Sequence, residues 1–314
     1  RNFHLKHVIQ INDTHPTLVI PELMRILLDE EGYSWDEAWH IVTHTVAYTN
    51  HTVMVEALER WPQQLIQDLL PRIWQLLVEI SNRYQAQLND YFHGDQSKVR
   101  DQAIIWGGEV RMANLCVCAC FAVNGVSALH SDILKRETFH DVYVRTPEKF
   151  KNVTNGIDHR RWLAEINPKL DALIQECTGG RDYLLRPEKL EELLKHKDDA
   201  SILDRLSKIK AENKRAFASY VARESGVLLN TDAMFDVQVK RLHEYKRQLL
   251  NVLHITYLYQ QLKNDPHFDF TPRVYLFGAK AAPGYSVAKE IIHLINSLAQ
   301  TVNGDPACKD RLQV

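Results

Sequence analysis

Apolar residues along this chain recur in two alternating patterns, one typical of strands and one typical of helices. Residues 7–13 alternate apolar and polar positions and predict a strand. Residues 21–32 carry leucine and isoleucine at helical spacing, with Pro21 suited to the first turn and Gly32 to the end. The first unit is therefore predicted as a strand, a short polar turn and a helix.

The rest of the chain repeats this order. Helices are predicted over residues 34–87, with breaks at Pro62 and Pro71. Four further segments follow: 109–136 as strand, Asn-Gly turn and helix, 187–224 as a charged helical face, and two strand-to-helix units over 235–263 and 273–302. Repeated units of this kind are typical of parallel sheets covered by helices, so we predict an α/β fold.

A turn-rich segment near Asn155 divides the predicted units into residues 1–155 and 156–314. The chain begins at Arg1 without a methionine and ends in "DRLQV", where a new strand is predicted to start. Both features indicate a fragment of a longer protein.

The composition and net charge argue against some classes of function, namely nucleic-acid binding through a global charge and a membrane role. Of the 314 residues, 45% are hydrophobic and 25% are charged, as in ordinary globular proteins. Lys and Arg total 38 against 40 Asp and Glu, so no global field recruits nucleic acid and any anion recognition must be local. The sequence has no signal peptide and no 18-residue apolar span, so we predict no membrane role.

Some cysteines and histidines are spaced closely enough to raise the question of a metal site. Cys116, Cys118 and Cys120 lie two positions apart, so on a strand all three would point to the same face. Neighbouring sulfurs on one strand face are poorly placed to bind a metal ion tetrahedrally. We predict buried, reduced thiols, which favours a cytoplasmic location. His40 and His44 are four apart but lack the glutamate of H-E-x-x-H and a third ligand, so we predict no metal.

Cations are concentrated where the strand around residue 237 gives way to the next predicted helix. The cluster consists of Lys240, Arg241, His243, Lys246 and Arg247, opposed only by Glu244. We predict that three of them, His243, Lys246 and Arg247, share a face of that helix. Its leucines, from Leu242 to Leu253, are predicted to form one stripe. A helix start already carries partial positive charge, so the cluster indicates a phosphate site, with a solvated basic surface as the alternative.

Three other places could carry chemistry. Asp13 and His15 in "INDTHP" are either sugar-binding groups or an Asx-type turn that caps a helix. His51 in "YTNHT" is, taken alone, more often a core or capping residue than a catalytic one. "TNGIDHRRWL", with Asn155 and Trp162, is either a linking turn or a hinge that contacts a ligand held between domains.

Several motifs together resemble those of glycogen and other α-glucan phosphorylases. They are "NDTHP", "AYTNHT" followed by "EALERWP", "AVNGV", "TNGI" with "RRWL", "VQVKRLHEYKRQLLN" and "KAAPGY". Their order and approximate spacing match across essentially the whole chain, although Cys120 and Phe121 stand where many members have Ser-His. The resemblance implies a glycosyltransferase-B fold with two Rossmann-like domains, of which residues 1–155 and 156–314 would each be a part.

The family resemblance also implies an activity. Inorganic phosphate attacks the terminal α-1,4 linkage at the non-reducing end of a glucan and releases glucose 1-phosphate with retained configuration. The cofactor, pyridoxal 5′-phosphate, serves through its phosphate group. The family's Schiff-base lysine lies beyond Val314, so this fragment alone is expected to be inactive, without covalent cofactor. The family forms homodimers, whose contacts are expected mostly outside this chain.

Residue roles are carried over from the same motifs. Arg241 and Lys246 would clamp the substrate phosphate, and His51 would stabilise positive charge on the transferred glucose. Lys240 would hold the cofactor's phosphate, and Trp162 would lie beside the cofactor ring. The remaining sugar-side residues would be Asp13, His15, Asn155, His243 and Tyr245.

Two alternatives stay open from the sequence. A non-catalytic module that binds phosphate or glucan could retain these residues. A nucleotide-sugar glycosyltransferase would explain the basic cluster by a diphosphate, but it would not explain "NDTHP", "TNHT" and "KRLHEYKRQ" together. Whether the glucan is glycogen, starch or maltodextrin is also open.

Overall fold

The computed structural model describes residues 2–54 and 57–314. Glu56, the first residue of the motif "EALERWP", therefore lies outside the described residues. Contacts divide the chain into two compact units, the first ending at Ile157 and the second spanning Asp158–Val314. Within the described ranges, no helix has both the length and the apolar character needed to cross a membrane.

A parallel sheet forms the centre of the first unit. The strands of this unit are β1 (Ile9–Asn12), β2 (Val46–Thr49), β3 (Arg60–Pro62), β4 (Ile105–Trp106), β5 (Glu109–Arg111), β6 (Val123–Gly125) and β7 (Phe150–Asn152). The parallel sheet has the order β1–β2–β6–β7, and β3, β5 and β4 pair separately as an antiparallel sheet. Ile11, Tyr48 and Val123 are fully buried, so the parallel strands lie inside the core.

Helices cover this sheet. They are α1 (Val19–Arg25), α2 (Trp35–Thr43), α3 (Gln63–Leu69), α4 (Pro71–Tyr91), α5 (Gln96–Gln102), α6 (Met112–Ala119), α7 (Ala128–Ile133) and α8 (His140–Arg145). Wider π-helical turns continue α1 and α7 over Ile26–Glu30 and Leu134–Thr138, and 3₁₀ turns occupy Phe3–Leu5 and Pro147–Lys149. A capping box starts α2, where the Ser34 hydroxyl accepts from the Glu37 N–H and the Glu37 carboxylate accepts from the Ser34 N–H.

Two predictions for the first unit are wrong. The three close cysteines lie on or next to a helix, α6, and not on a strand. The helical prediction over 34–87 also missed β2. Both segments are almost wholly buried, and a short apolar run without a polar face does not distinguish a buried strand from a buried helix.

Gly125 is required by a close approach of α7, not by the predicted turn. It ends β6, and a Cβ atom built there would lie 2.4 Å from Ser131 Oγ and 2.9 Å from both the Cα and the N of Ser131. Two of these neighbours are backbone atoms and cannot rotate away. The glycine therefore sets how closely the helix packs at the end of the strand.

We expect Gly125→Ala to lower the free energy of unfolding by about 1–3 kcal/mol, because the helix must shift to admit the methyl group. Urea titration followed by circular dichroism measures the change. Gly156→Ala is the matched control in the same unit, since a Cβ there would meet no atom within 4 Å. Equal destabilisation by both substitutions would show that the close approach is not the cause.

The second unit contains another parallel sheet. Its strands are β8 (Met234–Val239), β9 (Arg273–Gly278) and β10 (Leu312–Gln313), in the order β10–β9–β8. Its helices are α9 (Pro168–Thr178), α10 (Ala200–Ser225), α11 (Gln248–Asn264) and α12 (Ser286–Gly304). Shorter helical segments are Arg160–Glu165, Asp182–Leu184, Pro187–His196, Glu244–Lys246 and Pro306–Cys308. The predicted α/β class with parallel sheets is confirmed in both units.

The start of α11 differs from the prediction. The helix begins at Gln248, and the residue before it, Arg247, has a left-handed backbone with φ 64°. This conformation separates the cationic cluster from the helix, so its members do not share a helix face. The predicted leucine stripe is wrong as well, since Leu249, Leu250 and Leu253 are exposed. The buried side of the helix is formed by Val252, Ile255, Leu258 and Leu262.

Candidate functional site

Polar side chains gather at the carboxyl ends of the first unit's parallel strands. His51 follows β2 and is exposed, and its Nε2 lies 2.5 Å from Oδ1 of Asn12 at the end of β1. Thr49 Oγ1 accepts from Gln10 Nε2 at 2.6 Å and donates to Asn124 Oδ1 at 2.7 Å. Hydrogen bonds thus cross β1, β2 and β6 in turn. Ligands of open parallel sheets bind at such an edge.

Asp13 and His15 lie together beside a residue that the sequence analysis missed. His15 Nδ1 is 3.2 Å from Glu59 Oε1, and its Nε2 is 3.9 Å from Asp13 Oδ2. Thr14 Oγ1 donates to Glu59 Oε2 at 2.6 Å. The helix-capping interpretation of Asp13 is wrong, because the residue preceding α1 is Leu18 and no side chain caps that helix. The cluster instead presents a carboxylate pair and an exposed imidazole.

A second polar group, also missed from the sequence, lies behind His51. Asn50 is fully buried, and its Oδ1 accepts from the Thr52 N–H at 3.0 Å and lies 3.1 Å from His130 Nε2. His130 Nδ1 accepts from the Val126 N–H at 3.0 Å, which places the imidazole proton on Nε2. Burial, and secondarily the charge of His51, hold the pKa of His130 below its ordinary value. The neutral ring is therefore the form that the fold accommodates.

We expect the free energy of unfolding to decrease as the pH falls below 6.5, the ordinary value for histidine. His130 has a lower pKa when folded, so the unfolded chain binds more protons in acid; the stability present above 6.5 is lost on acidification. Urea titrations at about pH 7.5 and about pH 5.5 measure this loss. His130→Asn should reduce the difference between the two pH values. An unchanged difference would contradict the role assigned to this ring.

The cationic loop of the second unit connects β8 to α11, over residues 240–247. Lys240, Arg241 and Arg247 are exposed, and Lys246 is half-buried. In the described part of the chain, none of these four side chains has a carboxylate within ion-pair distance. Glu244 accepts a 2.7 Å hydrogen bond from the Tyr285 hydroxyl. The loop thus presents positive charge that the fold does not neutralise with an ion pair.

Amide side chains, one of them buried, hold the backbone of the cationic loop. Gln248 Nε2 donates to the carbonyls of Lys240 and Arg241 at 3.4 and 3.3 Å. Gln238 Nε2 donates to the Lys246 carbonyl at 3.0 Å, and Asn251 Nδ2 fixes Gln238 by donating to its Oε1 at 3.0 Å. Hydrogen bonds from amide side chains of the protein therefore hold the backbone at both ends of the loop. Its cationic side chains can face an anion without the anion having to fold the loop.

Aromatic rings border this loop. The His243 ring centroid lies 5.8 Å from that of Tyr245 and 6.0 Å from that of Tyr285. Lys246 Nζ lies 5.7 Å from the Tyr245 ring centroid. Trp162 is on the separate segment Arg160–Glu165 and is 63% exposed. The five predicted site residues of the second unit other than Trp162 thus lie on one loop, and they are Lys240, Arg241, His243, Tyr245 and Lys246. Trp162 lies on a different segment of the chain.

In the described part of the chain, the His and Cys positions considered as metal ligands do not assemble a metal site. His4 joins His40 and His44, with ring centroids 4.1–5.9 Å apart, yet no group of three or more His, Cys, Asp or Glu side chains in the described residues could hold a metal ion. The cysteines are free thiols. Burial raises the pKa of Cys118 to about 12, which keeps that thiol protonated.

We expect Gln248→Leu to weaken binding of inorganic phosphate by up to roughly thirtyfold, because two hydrogen bonds that preform the loop are lost and each contributes about 1 kcal/mol. Titration calorimetry measures the affinity. Gln260→Leu, at an exposed position of the same helix, is the control and should bind phosphate as the unmodified protein does. Equal affinities for all three proteins would refute the anchoring role.

Comparisons with known proteins agree with the motifs. A family model described as carbohydrate phosphorylase matches residues 1–314. The glycogen phosphorylase of Bacillus subtilis (strain 168) is 48% identical over 311 residues, which are 99% of this chain and 39% of that protein. The muscle forms from Homo sapiens and Mus musculus are 48% and 49% identical over 312 residues, 98% of this chain and 37% of each relative. The chain thus spans less than two-fifths of the length of these curated relatives.

Proposed function

The chain belongs to the carbohydrate phosphorylase family, and on that premise we propose that the full-length protein is an α-1,4-glucan phosphorylase. It would use inorganic phosphate to release the terminal glucose of glycogen, starch or maltodextrin as glucose 1-phosphate with retained configuration. The observation that carries this proposal is the cationic loop, whose backbone is anchored while its charges have no ion-pair partner in the described residues. A multiply charged anion is the ligand that such a loop favours.

Arg241 and Lys246 are the proposed clamp for the substrate phosphate. An arginine offers a planar pair of donors that matches two phosphate oxygens, and a lysine adds a point charge. As C1 of the terminal glucose passes from the glucan oxygen to a phosphate oxygen, negative charge must be held on the phosphate beside the oxocarbenium-like glucose. Preformed donors aimed at this charge stabilise the transition state without reorganising during the reaction.

The first unit is proposed to bind the sugar. His51, Asp13, His15 and Asn155 lie at or beyond the carboxyl ends of its parallel strands, where hydroxyl groups would find hydrogen-bond partners. The ring or carbonyl of His51 would stabilise the oxocarbenium-like charge on the transferred glucose. Glu59 would fix the orientation of His15, since the two side chains lie 3.2 Å apart. His243 and Tyr245, on the cationic loop, are proposed as further sugar-binding residues.

The donors of the second unit fit the phosphate group of pyridoxal 5′-phosphate. Lys240 is exposed, and Gln248 anchors its carbonyl, so its ammonium group would be free to bind the cofactor's phosphate. Trp162, largely exposed, would pack beside the cofactor ring. When bound, this cofactor would supply a second phosphate group to the reaction. Several negative charges would then meet, and clustered Lys and Arg would offset their repulsion.

The family assignment extends to architecture and setting. We propose that the two units are parts of the two Rossmann-like domains of a glycosyltransferase-B fold, the first for glucan and the second for cofactor and phosphate. A homodimer and a cytoplasmic location are proposed on the same ground.

The proposed function is tested by incubating the full-length protein, loaded with pyridoxal 5′-phosphate, with maltodextrin and inorganic phosphate. The expected product is α-glucose 1-phosphate, measured by proton and phosphorus NMR, and its formation should require phosphate. Phosphate binding without product would support the non-catalytic binding module instead. Activity that depends on a nucleotide sugar would support the glycosyltransferase alternative.

For the phosphate clamp, we expect Arg241→Ala and Lys246→Ala in the full-length enzyme to raise the KM for phosphate and to lower kcat. Each loses a charge-assisted contact that is worth roughly 10²–10³ in rate in a site shielded from water. Steady-state kinetics with varied phosphate measure both constants. Lys289→Ala, at an exposed position of α12, should leave them unchanged. An unaltered phosphate dependence in both loop variants would contradict the clamp.

For the sugar side, we expect His51→Ala to lower kcat with little effect on the KM for phosphate, because His51 lies in the first unit and would act on the glucose. The same kinetic titration separates the two constants. A loss of phosphate affinity with kcat preserved would contradict this role.

A further inference from the structure

Two of the proposed sugar-binding residues have exposed side chains that are not packed in the core. His51 and Asn155 are both exposed, and each follows a strand of the parallel sheet. Their side chains can act on one glucose only if the backbone segments that carry them keep a fixed spacing. Whatever fixes this spacing must therefore lie behind them, inside the first unit.

A chain of directed hydrogen bonds occupies that place. It starts at Asn50, the fully buried neighbour of His51, whose Nδ2 donates to the Tyr48 hydroxyl at 3.0 Å. Asn50 Oδ1 lies 3.1 Å from Nε2 of His130, which lies on α7. His130 Nδ1 accepts from the Val126 N–H.

The chain continues from the backbone of Val126 to the second proposed residue. The Val126 carbonyl accepts from the N–H of Asn155 at 3.0 Å. The N–H and the carbonyl of one residue, Val126, are thus bonded to His130 and to the Asn155 backbone. On the other flank, His51 Nε2 lies 2.5 Å from Asn12 Oδ1, so the turn that carries His51 is fixed from both directions.

His130 suits this position because its two ring nitrogens have opposite functions when the ring is neutral. Nδ1 accepts and Nε2 donates, whereas a protonated ring would direct a second donor at the Val126 N–H. A buried asparagine in turn costs stability unless its amide is bonded, and here both its oxygen and its nitrogen have partners. Each of these hydrogen bonds fixes the orientation of its donor and acceptor, which an apolar packing contact does not do.

We propose that His130 is a positioning residue, whose neutral imidazole joins the turn that carries His51 to the segment that carries Asn155 and so sets their spacing for glucose. This proposal rests on the proposed function. In this proposal His130 does not touch substrate, and it acts through Asn50 and the backbone of Val126.

The test measures kcat and the KM for phosphate of the full-length, cofactor-loaded enzyme with maltodextrin. His130→Leu removes both bonds and should lower kcat roughly tenfold to hundredfold, since small displacements of reacting groups have effects of that size. The KM for phosphate should stay unchanged, because the proposed clamp belongs to the other unit.

Two conservative variants each keep one of the bonds. His130→Asn places an acceptor near the Nδ1 position for Val126, and His130→Gln places a donor near the Nε2 position for Asn50. Both should have kcat values between those of His130→Leu and the unmodified enzyme. His140→Leu, at an exposed position of α8, is the control and should change neither constant.

Equal kcat values for the Leu, Asn and Gln variants, or a parallel rise in the KM for phosphate, would overturn the positioning role. If His130→Leu does not fold, as judged by its circular dichroism, the Asn and Gln variants decide: both must have a lowered kcat with an unchanged KM. An unmodified enzyme that forms no glucose 1-phosphate overturns the proposed function and, with it, the premise of this proposal. An active enzyme with unaltered kcat in His130→Leu overturns the positioning role alone.

Discussion

Parallel pairing of strands determines where the candidate functional residues of both units lie. In a parallel sheet all carboxyl ends meet at one edge, so residues far apart in the chain become neighbours without any local sequence signal. In the first unit this constraint brings Asn12, His51 and Asn124 to one edge. In the second unit the same edge of β8 carries the cationic loop. The chemistry proposed for each unit therefore depends on strand order before it depends on any single side chain.

Amide side chains, buried or half-buried, convert these strand ends into fixed sites. A glutamine or asparagine side chain can bond the backbone of a loop and keep it in place without adding charge. Gln248 and Gln238 do so for the carbonyls of the cationic loop, and Asn50 does so for the turn at His51. This solves an electrostatic problem in the loop. Adjacent cations repel one another, and hydrogen bonds to uncharged carbonyls hold their backbone together while the charges remain available to an anion.

Sequence reasoning was successful where a local signal exists. The strand-to-helix order at β1 and α1, at β8 and α11, and at β9 and α12 is confirmed, as is the cationic cluster at the end of β8. It failed for α6, because a buried helix has no polar face that would reveal its period. It also failed at Arg247, because a left-handed backbone at an arginine cannot be predicted from the residue type. Glu59 and His130 were missed because a key partner of each, His15 and Asn50, lies 44 and 80 positions away in the chain. Only the sheet brings them together.

The central claim is that the cationic loop is formed by the protein before any phosphate binds. Hydrogen exchange of the backbone amides in residues 240–247 of the full-length protein, with and without inorganic phosphate, tests it most directly. The account predicts slow exchange of the bonded amides of Leu242, Lys246 and Arg247 without phosphate, and little further slowing when phosphate is added. Rapid exchange without phosphate, followed by strong protection on binding, would show that the anion folds the loop and would contradict the claim.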